Sequence, residues 1–109
     1  MSGIYQTALD CYNDKKKKYD GKYDCSGFVA YCYSQNGKKV PHSSAEIWKK
    51  GSNGDGSAGD IACWDGHVGI SDGSGNVIHS YHEDHRICKD SVDDVSKWDK
   101  RSFKGYKRF

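Results

Sequence analysis

Apolar residues near the start of the chain recur every three to four positions, which is the spacing of an amphipathic helix. In SGIYQTALDCYNDKKKK, the residues Ile4, Ala8, Leu9 and Tyr12 follow this spacing, and Ser2 can cap the helix. Four consecutive lysines come near its C-terminus, where positive charge is favourable. We therefore predict a first helix that ends in a solvated basic segment rather than in a site for a polyanion.

A second helix is predicted after the loop DGKYD. Asp24 can cap this helix, and the apolar run that begins at Cys25 forms its body. We expect it to run to Asn36 and to be closed by Gly37, because glycine is favoured just past a helix end.

The stretch VPHSSAEIWKKG predicts a third, short helix. Ser43 and Glu46 stand three residues apart and can form a capping box, and Gly51 ends the element. The next residues, SNGDGSAG, are rich in Gly and Ser, so we predict a loop that is too short to link two domains.

From Asp60 onward the pattern changes to short strands. DIACW and HVGIS are separated by Asp65 and Gly66 alone, which predicts a hairpin with a two-residue type I′ turn. The turn residues DGSG then precede a third strand, NVIHSY. Edge strands are expected around Arg86–Lys89 and Lys104–Phe109.

The order of these elements predicts the fold class. Helices come first and strands that can pair antiparallel follow, which is typical of α+β proteins. A chain of 109 residues can build one modest core, and it contains no internal repeats. We expect one domain over residues 1–109, with N-terminal helices packed on a small antiparallel β-sheet.

Composition narrows the class of protein further. A hydrophobic content of 35% with 13% aromatics is typical of a polar globular domain that retains bulk for a core. No apolar run approaches the ~18 residues of a membrane span, and MSGIYQTALD lacks the features of a signal peptide. The formal charge of +2 comes from basic residues interleaved with acidic ones, so no nucleic-acid partner is expected. We expect a monomer that stays where it is made, leaves by a signal-independent route, or is an excised domain.

One of the five cysteines has a distinctive position. Cys25 falls in the first turn of a predicted helix, where unpaired N–H groups and the helix dipole would lower a thiol pKa and could hold an oxyanion. Ser26 and Gly27 keep the approach to its sulfur open. The odd count without a CxxC pair indicates neither a disulfide framework nor a zinc knuckle. The other cysteines are interpreted as small buried hydrophobes: Cys11, Cys32, Cys63 and Cys88.

A nucleophilic thiol needs a base, and two histidines in predicted strands are candidates. His67 and His79 meet on one face of the sheet if the loop between their strands has three residues, 72–74 or 73–75. A four-residue loop, 72–75, would turn His79 to the opposite face. The pattern therefore permits a Cys-His-His triad without requiring one.

A metal site is a weaker interpretation of the histidines. The stretch HSYHEDHRIC contains three histidines, two acids and a cysteine, but its H-x-x-H-x-x-H run is not a standard zinc spacing. A charged loop after a strand accounts for most of it, so we expect neither a metal nor another cofactor.

Several motifs in order resemble the NlpC family, the papain-like group of cell-wall cysteine peptidases that includes the p-sixty proteins. They are DCSGFV, VPHSSAEIW, GDIACW, HVGIS and NVIH, and together they cover about residues 19–81. The 12-residue step from His67 to His79 is also similar to that of the family. The sequence departs from the family in the short YDGKYD segment and in the short Asp65–Gly66 connection, which leave the substrate preference open.

This resemblance implies a role for individual residues. Cys25 would be the nucleophile, His67 its general base and acid, and His79 the third member that orients the His67 ring by hydrogen bonding. Family members also use residues around the cysteine to hold the peptide and to line the oxyanion site. The substrate-contact candidates are Asp24, Ser26, Tyr19, Tyr23 and Trp64.

The resemblance implies a peptidoglycan hydrolase that cleaves amide bonds in stem peptides or cross-bridges through a thioester. An N-acetylmuramoyl-L-alanine amidase would use the same residues, so the sequence separates the two poorly. A toxin-like effector with deamidase or acyltransferase activity on a non-wall substrate is a further alternative. If the first reading holds, the site of action is the bacterial cell wall, and the compartment in which the protein resides stays open.

Overall fold

A computed structural model describes residues 3–13, 24–81 and 86–109 of the chain. The elements of these residues are α1 (Gly3–Asn13), α2 (Cys25–Ser34), α3 (Ser44–Lys50), β1 (Ser52–Asn53), β2 (Ile61–Trp64), β3 (His67–Ser71), β4 (Asn76–Tyr81), β5 (Arg86–Ser91), α4 (Val92–Asp99) and β6 (Phe103–Arg108). The strands pair antiparallel in one sheet of order β1-β6-β2-β3-β4-β5. The predicted α+β class is confirmed. No helix in the described part of the chain is long and apolar enough to cross a membrane.

The two faces of the sheet are covered differently. On one face, buried residues of α1, α2 and α3 pack against β2, β3 and β4 in the larger core cluster. Phe28 and Val29 of α2 are fully buried there, as are Val68 and Ile70 of β3. On the other face, a smaller cluster forms where Val95 of α4 packs with side chains of β2 and β4. The strand that carries His67 is therefore buried on both sides.

Helix α2 begins where the sequence predicts. The Asp24 side chain accepts a hydrogen bond from the Gly27 backbone N–H at 2.8 Å, which satisfies one of the unpaired donors of the first turn. The helix ends at Ser34, two residues before the predicted Asn36, because the chain tightens into a turn. Gly37 follows with the positive φ of +74° that this exit requires. The cap therefore fixes Cys25 as the first helical residue.

The short helix α3 also confirms its predicted cap. The Ser43 side chain accepts from the Glu46 backbone N–H at 3.3 Å, and Gly51 ends the helix. The loop prediction for SNGDGSAG needs a correction, because its first two residues form β1. Strand β1 is too short to carry a hydrophobic alternation, so the sequence held no signal for it.

The hairpin of β2 and β3 has the predicted two-residue loop, with Trp64 paired to His67. The predicted type I′ turn is wrong. That turn needs positive φ at both loop residues, whereas Gly66 has φ +77° and Asp65 does not have a positive φ. This is the sign pattern of a type II turn, in which only the second loop residue has a positive φ.

The register of β3 and β4 decides which residues meet on the sheet. Ser71 pairs with Val77, so the loop is 73–75, which is one of the two three-residue arrangements that the sequence predicts. In this register His79 stands diagonal to His67 and lies across from Gly69. A Cβ atom built at Gly69 would lie 2.9 Å from the Cβ of His79, so only glycine leaves room for this approach.

The end of the chain holds two departures from the predicted elements. Strand β5 is an edge strand as expected, but Phe103–Arg108 lies inside the sheet between β1 and β2. This stretch is polar in sequence and half exposed, so its residue pattern did not predict a strand in the interior of the sheet. Helix α4 was not predicted either. It is capped by Ser91, and among its described side chains only Val95 is fully buried in the core, which is too little for a helical pattern.

Gly69→Ala tests the close approach of β3 and β4. The added methyl group would meet the His79 Cβ at 2.9 Å and would also lie 3.4 Å from the Ile78 carbonyl oxygen. We expect the free energy of unfolding, measured by urea denaturation, to fall by about 1–3 kcal/mol.

Gly75→Ala is the matched control, because its φ of +86° adds backbone strain but no atom of the described residues lies within 4 Å of the new methyl group. The two variants should both lose stability, and only Gly69→Ala should also disturb the His79 ring in NMR spectra. A Gly69→Ala protein as stable as the parent chain would contradict this account of the register.

Candidate active site

Cys25 is held at the start of α2 by the hydrogen bonds of its neighbour. One oxygen of Asp24 accepts from the Gly27 N–H at 2.8 Å and from the Ser26 hydroxyl at 3.3 Å. The Cys25 side chain is half-buried and packs against the core cluster, with its sulfur at the backbone N–H of Val68. Because Val68 directly follows His67, the helix cap and the sheet bring the thiol to the strand that carries the candidate base.

The pKa of the Cys25 thiol is raised above its ordinary value, and the sequence-based prediction of a lowered pKa is wrong. Burial against the sheet is the largest cause, and the nearby Asp24 carboxylate adds to it. Hydrogen bonds from the Val68 and Ser26 backbone N–H groups and the charge of Arg101 act in the opposite direction without outweighing burial. Burial therefore favours the neutral thiol over the thiolate at Cys25.

The two predicted histidines are in direct contact. Nε2 of His67 lies 2.7 Å from Nδ1 of His79, and both side chains are buried. Their rings are held by aromatic neighbours: the Tyr81 ring stacks on His79 with centroids 5.2 Å apart, and the Trp64 ring lies 5.5 Å from the His67 ring. The structure thus brings His67 and His79 together as the resemblance implies.

Asp90 is the residue of this site that the sequence did not reveal. Its Oδ2 atom lies 2.8 Å from Nε2 of His79, the ring nitrogen that does not contact His67. Asp90 lies on β5, where it pairs with Val77, so it stands diagonal to His79 on the same face of the sheet. In the sequence, Asp90 was recognisable only as an acidic residue one position beyond the predicted strand Arg86–Lys89.

Three of the five substrate-contact candidates lie within the described residues. Trp64 is only 2% exposed and its indole N–H donates to the Ser96 hydroxyl at 2.9 Å, so it supports the His67 ring from behind. Ser26 is buried beneath Asp24. These two placements do not favour direct substrate contact, and Tyr19 and Tyr23 lie outside the described residues.

Asp24 remains exposed enough to meet a ligand, and it has a partner that the sequence did not indicate. Its Oδ1 atom lies 2.7 Å from Nε2 of His42, and both side chains are more than half exposed. Burial alone would raise the pKa of Asp24, but the hydrogen bonds from Gly27 and His42 outweigh it and the pKa is lowered. A carboxylate therefore stands one residue before the candidate nucleophile.

The charge of Arg101 reaches this site from the segment that follows α4. Its guanidinium donates to the Asp65 carbonyl oxygen at 2.7 Å, which fixes it over the turn before His67. A Cβ atom on Gly66 would come within 2.8 Å of that guanidinium, so the short turn and the arginine fit together. Arg101 thus covers the connection whose shortness sets the sequence apart from the NlpC pattern.

The described residues offer no candidate metal-binding site. Within 3–13, 24–81 and 86–109, no group of three His, Cys, Asp or Glu side chains is arranged to hold a metal ion. Residues 82–85 of the histidine-rich stretch, with two of its three histidines and both of its acids, lie outside the described residues.

Comparison with known proteins gives a consistent assignment. The model of the NlpC/P60 family matches residues 10–106. A probable endopeptidase of Corynebacterium glutamicum is 39% identical over an alignment 77 residues long, which covers 65% of this chain and 37% of that protein. The chain therefore spans little more than a third of this curated relative.

Two solved structures share the fold along nearly their whole length. The NlpC/p60 domain of the peptidoglycan hydrolase SagA has a TM-score of 0.71 at 24% identity, covering 98% of this chain and 97% of that one. RipD of Mycobacterium tuberculosis, described as a non-catalytic NlpC/p60 domain protein adapted to peptidoglycan binding, has a TM-score of 0.71 at 16% identity. It covers 99% of this chain and 98% of its own. The predicted arrangement of helices on a small antiparallel sheet is thus confirmed as that of NlpC/P60 domains.

Alkylation of the folded protein with iodoacetamide should separate the cysteines by burial. Cys25 and Cys88 are half-buried and should react, whereas Cys11, Cys32 and Cys63 are buried and should be protected. Burial raises the pKa of the Cys63 thiol to about 12 and that of Cys32 still further, which protects both additionally. Peptide mass spectrometry after timed labelling would measure each rate.

The pH dependence of the Cys25 reaction tests the sign of its pKa shift. Because the folded-state pKa is raised, the labelling rate should continue to increase above pH 9 and should be low at pH 6. Arg101→Gln should slow labelling at each pH, because it removes a charge that favours the thiolate. Rapid labelling of Cys25 at pH 6 would contradict the raised pKa.

Proposed function

The chain belongs to the NlpC/P60 family, and from this membership we propose that it is a cysteine peptidase that hydrolyses amide bonds in bacterial cell-wall peptides. The observation that carries the proposal is the hydrogen bond between His67 on β3 and His79 on β4, because Val68, the residue after His67, contacts the sulfur of Cys25. A thiol, a neutral imidazole and a partner that orients the imidazole are the three components of a cysteine hydrolase.

The proposed reaction uses the thiol in its protonated resting form. His67 takes the proton of Cys25 as the sulfur attacks the peptide carbonyl carbon, and a tetrahedral oxyanion forms. Backbone N–H groups at the start of α2 are suited to stabilise this oxyanion, since they carry the positive end of the helix dipole. His67 then gives the proton to the leaving amine, the C–N bond breaks, and a thioester remains on Cys25.

Water completes the proposed cycle. His67 takes a proton from a water molecule that attacks the thioester carbonyl, and the C–S bond breaks as the second tetrahedral state collapses. The proton returns from His67 to the sulfur, and the new carboxylic acid leaves and releases its own proton to solvent. Each step moves one proton through His67, which is why its orientation by His79 matters.

The family fold alone does not decide between hydrolysis and binding, because RipD is described as non-catalytic. The side chains of this chain favour hydrolysis, since Cys25, His67 and His79 are all present and the histidines are hydrogen-bonded.

We propose an endopeptidase rather than an amidase, and we place its action at the cell wall. The C. glutamicum relative is named a probable endopeptidase, and SagA is named a peptidoglycan hydrolase. A monomeric enzyme that acts on the peptide moiety without a metal or another cofactor is consistent with the thiol chemistry of the site.

Purified peptidoglycan is the direct substrate test. Incubation with the protein should release fragments whose new free amines, identified by mass spectrometry, lie within stem peptides or cross-bridges. A new amine on the L-alanine that was joined to muramic acid would instead identify an amidase. Cys25→Ala should abolish cleavage, and Cys25→Ser should retain less than about a hundredth of it, because an alcohol is a far weaker nucleophile than a thiol.

Cys11→Ala is the control for these variants, since Cys11 is buried in α1 and takes no part in the proposed chemistry. It should cleave at the parental rate. Full cleavage by Cys25→Ala, or none by the parent chain on any wall preparation, would refute the proposed function.

The two histidines should contribute unequally. His67→Ala should lower kcat about 10²–10⁴-fold, because the proton carrier itself is lost. His79→Asn should cost less, because the side-chain oxygen of Asn can still accept a hydrogen bond from Nε2 of His67. Steady-state kinetics on a stem tetrapeptide, with thermal unfolding as a check of the fold, would measure both, and a His79→Ala protein with full activity would contradict the assigned triad.

A further inference from the structure

We propose that Asp90 is a positioning residue that fixes the tautomers of both histidines and thereby leaves Nδ1 of His67 free of a proton, ready to accept that of the thiol. The inference rests on the proposed function for its catalytic meaning, but its structural content is independent of any substrate. It is drawn from an unbroken chain of contacts: His67 Nε2 to His79 Nδ1 at 2.7 Å and His79 Nε2 to Asp90 Oδ2 at 2.8 Å.

The direction of each hydrogen bond follows from the donors that are present. A carboxylate only accepts, so Nε2 of His79 carries the proton that it donates to Asp90. A neutral imidazole has one N–H group, so Nδ1 of His79 is then an acceptor. Nε2 of His67 must supply the proton for the second bond, and Nδ1 of His67 keeps its lone pair.

Without Asp90 the same histidine pair has a second arrangement. His79 can carry its proton on Nδ1 and donate it to Nε2 of His67, with no change in the distance between the rings. The proton of His67 then sits on Nδ1, and that nitrogen can no longer act as the base. The hydrogen bond between the histidines therefore does not by itself select the active form, and a third group has to do so.

The backbone holds Asp90 in place for this role. Strand β5 pairs along the whole of β4, from Tyr81 with Arg86 to Asn76 with Ser91. Immediately after β5, the Val92 N–H donates to the Gly75 carbonyl oxygen at 3.0 Å, which ties the strand end to the β3–β4 loop. The Asp90 side chain is 19% exposed and His79 is fully buried, so water competes little for this hydrogen bond.

Asp90 also places a negative charge where the reaction needs one. When His67 takes the thiol proton, a buried ring becomes positive, and His79 as a neutral neighbour offers no charge to balance it. The Asp90 carboxylate lies one ring away in a region of little water, where charge interactions are weakly screened. Asp90 therefore supplies the negative charge that a neutral histidine in the third position does not have.

Two Asp90 variants and a charge-matched control test the proposal. Asp90→Asn is nearly isosteric and can present its NH₂ group to Nε2 of His79, which favours the reversed tautomers, and Asp90→Ala removes the acceptor altogether. Asp93→Asn removes the same charge from the exposed first turn of α4 and should behave as the parent chain.

NMR spectroscopy of ¹⁵N-labelled histidine is the first readout, and it needs no substrate. In the parent chain and in Asp93→Asn, both rings should be neutral with the proton on Nε2. Asp90→Asn should move the proton of His79 to Nδ1, and Asp90→Ala should give a mixture. Parental tautomers in both Asp90 variants would overturn the proposal.

Kinetics on a stem tetrapeptide is the second readout. Both Asp90 variants should lower kcat about 10–10²-fold with little change in KM, because the substrate site is untouched and only the fraction of active tautomer falls. Unchanged kcat would overturn the catalytic part of the proposal. If the parent chain cleaves no wall peptide but the Asp90 variants still shift the tautomers, the proposed function fails and the inference about Asp90 stands. Should Asp90→Ala not fold, the nearly isosteric Asp90→Asn decides the outcome.

Discussion

The site depends on one constraint, the register in which β3 pairs with β4. Side chains along a strand alternate between faces, so a slip of one residue would turn His79 into the helical core and leave His67 without its partner. The three-residue loop sets this register, and Gly69 permits it, since any side chain there would collide with His79. The contact between two buried histidines is thus a consequence of loop length and of one missing Cβ atom.

The packing that delivers the thiol to this pair has an electrostatic consequence. Asp24 caps α2 and presents Cys25 to the strand of Val68, but the same close packing removes water from the sulfur and raises its pKa. The Val68 and Ser26 backbone N–H groups and the charge of Arg101, which favour the thiolate, are outweighed by burial. In the proposed reaction the proton is therefore transferred to His67 during attack, so the proposed site depends more on the imidazole than the sequence indicated.

Most of what could be predicted rests on signals that are local in the sequence. The caps at Asp24 and Ser43, the Asp65–Gly66 hairpin and the alternation in β3 and β4 each involve fewer than about eight residues, and the elements formed where they indicated. The features that were not predicted depend instead on contacts between distant parts of the chain. The interior position of β6 depends on pairing with β2 residues that lie 39 to 46 positions earlier in the chain, and the raised pKa of Cys25 depends on how a helix packs on a sheet. Neither property is written in any short stretch of the chain.

Asp90 also depends on contacts between distant parts of the chain, and it gives the third residue of the proposed triad a partner of its own. An amide or a carboxylate in that position has a fixed acceptor, so it orients the base without help. A neutral histidine has two tautomers of similar energy, so a further group must determine which ring nitrogen carries the proton. In the proposed site that group is Asp90 on the neighbouring strand. The sequence motif contains three residues and ends at His79. The series of hydrogen bonds that starts at His67, however, has to end at a group that only accepts, and Asp90 is such a group. Edge strand β5 carries Asp90, so the outermost strand of the sheet helps to position the histidines of the proposed site.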